Sequence, residues 1–378
     1  MSRTSARTPL LKAVAVCLGL LGALLALEGL FRLLPVSEVM LSLPVNAANP
    51  MLRFVPDRTV NWSRGAWMTE RHTLRVNNYG FLNGQDYDPA SASPLVAVVG
   101  DSFIEAVALP YGQTSFARLA QALNGRARVY SFGRSGAPLS HYLACAQWLV
   151  PLFRPDRLVI LAVANDFDES LLEYKRAPGY HYYQDDGQGG LRLLRVDYTP
   201  GRFSGLARHS RLLSYLLVNL QVQGLWARLS ARWAGDSAFV GQTLAAAEQR
   251  RVERSRLVVD TVLKELPLRT GLAPKDICLV TDGLRPNLYT AQGRRDEAGS
   301  FARLMLDYLL AQARRQGFRT IDMEPLFVAD FAAHGQPFDF GALDAHWNAR
   351  GHAVLAQALL DSGFLDGLGG RQPGAGRP

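Results

Sequence analysis

The stretch Leu95–Ser102, Leu-Val-Ala-Val-Val-Gly-Asp-Ser, constrains this chain more than any other. Its five consecutive apolar residues have no polar face, so a strand made of them must be covered on both sides. That is the condition inside a parallel sheet. Pro94 precedes it and Gly112 to Leu123 reads as the following helix, which puts Ser102 near the strand's C-terminal end. In open α/β sheets ligands bind outside that end. A hydroxyl there is either a turn former or a nucleophile, and Gly-Asp-Ser alone is too short to decide.

The pattern then repeats. Arg128–Phe132 reads as a second strand, ending in Gly133-Arg134-Ser135-Gly136, with a helix over Leu139–Phe153 behind it. Arg157–Val163 is a third buried strand. A charged amphipathic helix over Gln242–Glu265 leads to a fourth, Asp276–Thr281. A helix from Glu297 to Gln316 leads to a fifth, Phe318–Asp322, and a last helix over Ala349–Leu360 starts from Asn348 as N-cap. Strand and helix alternating at these spacings predict a parallel α/β layer.

Two segments stand outside it. The N-terminus carries Arg3, Arg7 and Lys12 before an apolar run from Ala13 to Leu27, extended past Glu28 to Leu34. A basic flank before a greasy stretch is a signal peptide or a membrane anchor. No convincing Ala-x-Ala cleavage site follows the run, and Val16 before Cys17 is too large for a lipobox. The reading is an uncleaved transmembrane helix with residues from about 36 onward outside the cytoplasm. Arg32, one turn after Glu28, is placed to pair with it. The second segment, 168–238, breaks the alternation. Tyr180–Tyr183 and Leu191–Val196 flank a Gly-rich turn as a hairpin, and Leu212 to Trp233 has apolar residues at helical spacing. This segment reads as a cap insertion over the strand ends, its aromatics filling a hairpin face or stacking on sugar.

The domain layout follows: residues 1–35 cytoplasmic tip and anchor, 36–94 an extended lead-in, 95–167 and 239–365 the α/β domain, 168–238 the cap, 366–378 a disordered tail. Only four of the 41 basic residues are Lys, and no basic block is interleaved with aromatics. The net charge of +8 therefore gives no sign of a nucleic-acid surface. Cys145 and Cys278 sit in apolar contexts as core residues, and no metal-ligand spacing occurs.

Four loops at strand C-termini carry chemistry: Gly100-Asp101-Ser102, Ser135-Gly136, Ala164-Asn165-Asp166 and, before the last helix, Asp344-Ala345-His346. Such loops converge on one edge of a parallel sheet. A serine, a histidine and a carboxylate make an acyl-transfer triad: Ser102 attacks, His346 moves the proton, Asp344 orients the imidazole. The N–H groups of Ser102 and Gly136 and the side-chain amide of Asn165 are candidate oxyanion donors. Asp101 and Asp166 read as loop scaffolding and His352 as structural. His72, His141, His181, His209 and His334 read as surface or packing residues.

These blocks, in this order, resemble the SGNH (GDSL-type) hydrolase superfamily, in particular its membrane-anchored bacterial members. Gly100-Asp101-Ser102-Phe103 matches the first block, with Phe in the usual Leu position; Ser135-Gly136, Asn165-Asp166 and Asp344-Ala345-His346 match the others. The resemblance covers about 95–168 and 275–362. It implies a three-layer α/β/α sandwich with a five-stranded parallel sheet of flavodoxin-like type, and a serine esterase that uses no cofactor and no metal. Two positions depart from the pattern. Val163 stands where the family has Gly, and the last block is Asp-x-His rather than Asp-x-x-His, leaving Asp339 as a reserve carboxylate. The shorter spacing is similar to a branch of polysaccharide O-acetyl-handling enzymes. The expected substrate is an ester, a short acyl group on a glycan. The alternatives are an O-acyltransferase acting on a polysaccharide hydroxyl and a non-catalytic glycan-binding or assembly subunit.

Overall fold

A computed structural model describes residues 7–201, 204–220, 222, 246–285, 287–341 and 344–368. Arg3, the helical spacing from 223 to Trp233, the start of the helix expected from Gln242 and the tail from residue 369 lie outside the described residues. The chain divides into two compact units.

The first unit is Met1–Leu41, Thr59–Thr73 and Gly201–Asp236. It opens with the helix Arg7–Leu33. Leu11–Leu33, 23 residues of mean hydropathy 2.3, is long and apolar enough to cross a membrane, the one such helix among the described residues. Arg32 pairs with Glu28 at 2.9 Å, as the one-turn spacing predicts. Strand β1 (Arg58–Ser63) pairs with β2 (Arg71–Val76). The stretch expected as a single cap is shared between the units: Gly201–Asp236 is assigned here, its described part including the helices Ser204–His209 and Arg211–Ser214 and a π turn over Tyr215–Asn219.

The second unit is Ser42–Arg58, Leu74–Pro200 and Ser237–Pro378. Its strands are β3 (Leu95–Gly100), β4 (Arg128–Gly133), β5 (Arg157–Ala162), β6 (His181–Asp185), β7 (Leu191–Arg195), β8 (Ile277–Thr281) and β9 (Arg319–Asp322). Five of them form one sheet in the order β4-β3-β5-β8-β9, every pair parallel. This is the doubly wound order in which the chain reverses direction between the first and third strands, here β3 and β5.

Side chains alternate across the sheet and the core is split accordingly. Leu95, Ala97, Val99, Leu158, Ile160, Ile277 and Leu279 pack with the helices Leu139–Phe153, Gln249–Thr270 and Phe301–Arg315. Val96, Val98, Val159, Leu161, Cys278 and Val280 pack with Ser115–Leu123, Met323–His334 and Ala349–Asp361. Both faces are thus covered, which is why these strands read as unbroken apolar runs; each fully buried Val or Leu contributes about 1.5–3 kcal/mol. The helix Met323–His334 escapes sequence reading because it follows β9 directly, with Asp322 as its N-cap and no intervening turn signal.

The lead-in covers the sheet's exposed margin. β4 is an edge strand, and Tyr87 Oη both donates to the Ser131 carbonyl at 2.5 Å and accepts from Ser131 N–H at 3.0 Å. Gln85 Nε2 donates to the Val129 carbonyl at 2.8 Å. Side chains thereby saturate backbone groups that an open edge would leave free for another strand. The hairpin β6–β7 is antiparallel and packs with the helices Leu139–Phe153 and Gln249–Thr270. Tyr180, His181, Tyr182 and Tyr183 are buried, so these aromatics fill the hairpin face and offer no sugar platform.

Candidate active site

Ser102 follows the end of β3 and starts the short helix Ser102–Glu105. Asp101 is its N-cap: Oδ1 accepts from Phe103 N–H at 2.9 Å, and Oδ2 accepts from Ser102 Oγ at 3.3 Å. Burial pushes the Asp101 carboxyl up to about 6, opposed by the Phe103 hydrogen bond and the nearby His346. It is loop scaffolding, as the sequence suggests. The tight start requires glycine at two places. A Cβ on Gly133 would lie 2.2 Å from Glu105 N, and one on Gly100 would lie 2.5 Å from Ile104 Cγ1. The strand ends therefore abut the serine's own helix.

His346 arrives from the last loop. Its Nε2 is 2.7 Å from Ser102 Oγ and its Nδ1 is 2.7 Å from Asp344 Oδ1. The same carboxylate oxygen accepts His346 N–H at 3.2 Å, so two residues of separation close a turn and the Asp-x-His spacing loses nothing. Burial pulls the imidazole pKa down, but the hydrogen bond and charge of Asp344, with the charge of Asp101, carry it above the ordinary histidine value. The reserve carboxylate, Asp339, is engaged elsewhere, accepting from Tyr289 Oη and Gly341 N–H.

Gly136 and Asn165 lie in the loops after the strands on either side of β3, whose register sets Gly100 against Gly133 and Val99 against Ile160. The N–H groups of Ser102 and Gly136 have no acceptor among the described residues. Gly136 has φ +77°, a conformation that glycine adopts without strain. Asn165 Nδ2 donates to Glu169 Oε2 at 3.0 Å; Glu169 also pairs with Lys175, whose Nζ donates to the Gly136 carbonyl at 3.0 Å. This chain of bonds joins the second and third blocks. It fixes which end of the Asn165 amide is nitrogen and leaves its second N–H available. Val163 is in extended backbone, φ −116°, which any residue adopts, and its N–H bonds Asp166 Oδ2 at 2.8 Å. The departure from Gly there puts no strain on the backbone.

Sequence reading passes over the supports. Glu105 is buried, accepts from Ser135 N–H at 3.0 Å and pairs with Arg134 at 2.7 Å, tying the second block to the serine's helix. After β8, Asp282 and Arg285 form a buried bidentate pair, with both bonds 2.6 Å. Trp347 Nε1 donates to Asp282 at 2.8 Å. The guanidinium also lies over the Phe103 ring, 5.5 Å from its centroid, and that ring is 5.0 Å from the His346 ring. The signal was present: Asp282 follows a buried strand, as Ser102 does. His352, pushed down to about 3 by burial, contacts Ser115 through Nδ1 and is structural. Cys145 and Cys278 are buried and unbridged. Among the described residues no group of His, Cys, Asp or Glu is arranged to hold a metal.

Comparison with protein-family models gives no match, and comparison with curated proteins gives none. Solved structures do align. A member of the lipolytic protein G-D-S-L family from Veillonella parvula aligns over 71% of this chain and 97% of its own, at 13% identity and TM-score 0.36. The lipase/acylhydrolase from Enterococcus faecalis aligns over 75% and 100%, at 13% and 0.38. A two-domain esterase active on acetylated mannans aligns over 76% of this chain and 52% of its own, at 12% and 0.37.

Proposed function

We propose that this chain is a membrane-anchored serine esterase that removes a short acyl group from a glycan on the extracytoplasmic side. The observation that carries the chemistry is the linear relay Ser102 Oγ to His346 Nε2 and His346 Nδ1 to Asp344, each 2.7 Å. His346 takes the Ser102 proton as Oγ bonds the ester carbon. The same proton then passes to the leaving alkoxide as the C–O bond breaks. Water repeats the sequence in reverse: it gives its proton to His346, forms the new C–O bond and expels Oγ, which regains a proton. The N–H groups of Ser102 and Gly136, with the free N–H of Asn165, stabilise the oxyanion at each step.

The glycan ester rests on the sequence resemblance, and the location rests on the apolar helix with basic residues before it. The test uses the full chain in detergent or liposomes. The wild type hydrolyses 4-nitrophenyl acetate and is labelled by a fluorophosphonate, and Ser102→Ala abolishes both. Retention of either by that variant overturns the assignment of the nucleophile. Acetate release from acetylated glycans, measured against longer-chain esters, tests the substrate class.

A further inference from the structure

The chain leaving the apolar helix is held by a buried polar knot. Ser37 N–H donates to Asn219 Oδ1 at 3.0 Å, and Ser63 N–H donates to Ser37 Oγ at 2.8 Å. Asn219 Nδ2 donates to Ser63 Oγ at 3.0 Å and to the Gly65 carbonyl at 2.9 Å. Beside the knot, Phe31 stacks on Tyr215 with ring centroids 4.4 Å apart, and Tyr215 Oη donates to the Ala66 carbonyl at 3.1 Å. Glu28 accepts from Ser210 Oγ at 2.8 Å and from the N–H groups of Arg211 and Leu212 at 3.0 Å. The end of the apolar helix, the turn after β1 and the run Arg211–Asn219 are therefore one hydrogen-bonded body.

The depth of that body follows from Glu28. It lies five residues before Leu33, about 7 Å along the axis. A run whose first N–H groups bond Glu28 cannot stand clear of a bilayer that this helix crosses. Among the described residues, the large apolar side chains that the body leaves uncovered at the end of the span and beyond it are Leu33, Leu34, Leu220 and Trp67, with Trp67 88% and Leu33 85% exposed. Leu33 and Leu34 end the helix, Leu220 follows Asn219, and Trp67 is next to the Ala66 that Tyr215 holds. An indole has an apolar body and one N–H donor, which suits the headgroup level where lipid meets water.

We propose that this body is a membrane footing, in which Trp67 with Leu33, Leu34 and Leu220 seats in the phospholipid headgroup layer of the outer leaflet. It rests on the reading of Leu11–Leu33 as a bilayer-spanning anchor. The footing is built by segments far apart in sequence, so insertion at Trp67 depends on the knot at Ser37, Ser63 and Asn219 as well as on the tryptophan.

The test places an environment-sensitive nitrobenzoxadiazole probe at Trp67→Cys in the full chain carrying Cys17→Ala. The chain is reconstituted in phosphatidylethanolamine/phosphatidylglycerol vesicles, and Gln188→Cys is the control. The expected result is blue-shifted emission at 67, quenching by headgroup nitroxide lipid, and at least threefold weaker iodide quenching than at 188. Adding Asn219→Ala should return iodide quenching at 67 toward the value at 188. Equal iodide quenching at 67 and 188 in vesicles overturns the footing. A probe on native Cys17 reports the anchor separately. Quenching there by acyl-chain nitroxides shows that the helix is inserted; quenching there by iodide means the anchor reading has failed and the footing falls with it.

Discussion

The guanidinium of Arg285 donates twice to the carbonyl of Ala345, at 3.1 Å from Nε and 2.9 Å from Nη2. Ala345 is the residue between Asp344 and His346, so Arg285 grips the histidine loop by its backbone. Its charge is neutralised by Asp282, which is itself held by the Trp347 indole. A buried pair of this kind is costly to break, because removing one partner strands the other. Arg285→Lys keeps the charge but cannot make the forked contacts. We expect kcat to fall by about 10²-fold with KM within a factor of two, the scale of an ångström-level misplacement. Arg285 also lowers the His346 pKa by charge. Arg285→Met should therefore move the acid limb of kcat/KM upward in pH, a shift that loop loosening alone does not produce.

The imidazole must be unprotonated to accept the Ser102 proton, so kcat/KM should rise with pH through the His346 pKa, above the ordinary value of about 6.5. Asp344→Asn removes the hydrogen bond and charge that hold it there. The limb should then move to lower pH while the plateau drops by roughly 10⁴-fold. A pH–rate profile of both proteins checks the sign. A limb that stays in place in Asp344→Asn removes Asp344 from the relay.

Asn165 is tied to Glu169 by one N–H, leaving the other for an oxyanion. Asn165→Ala should lower kcat by about 10²–10³-fold while fluorophosphonate labelling of Ser102 stays measurable. Asn165→Asp should do worse, since it adds a carboxylate beside Glu169. Steady-state kinetics with titrated active sites separates these outcomes.

The fold was legible because buried parallel strands leave unbroken apolar runs: Leu95–Val99, Leu158–Val163 and Ile277–Val280 announce themselves. The residues now meeting at 2.7 Å were legible as types, Ser102 at a strand end and Asp344 and His346 before the last helix, and their meeting required the strand order. What was not legible is long-range polar support. Nothing local marks Asp282 as a partner of Trp347, or Glu28 as a cap for a helix begun at Arg211, because both contacts form only after distant segments pack. The gathering of Ser210 to Asn219 with the apolar N-terminal helix was hidden for the same reason: an apolar helical spacing reports that a face is covered, not by what.

Gly133 is needed for closeness rather than for backbone freedom, because its missing Cβ would meet the backbone of Ile104 and Glu105 at 2.5 Å and 2.2 Å. Neither strand nor helix can yield without moving Ser102. Gly133→Ala should cost about 3 kcal/mol, lowering Tm by roughly 4 °C. Gly112→Ala, with open space around it, should be neutral. Thermal unfolding of the two variants side by side makes the comparison.

Glu297 is buried near Glu324, and burial first, then the Glu324 charge, push its carboxyl up to about 8 against the pull of Arg303. Below about pH 4.3 the folded and unfolded chains both hold this proton. As the pH rises toward 8 the unfolded chain releases it and the folded chain keeps it, so stability is lost across that window. Glu297→Gln retains shape and a neutral amide at every pH. It should match the wild type near pH 4.5 and exceed it at pH 8.5 by at least ~3 °C in Tm. A constant difference across the range would mean that Glu297 does not hold a proton in the folded chain at neutral pH. A wild-type advantage at pH 8.5 would mean that its charge is stabilised by Arg303.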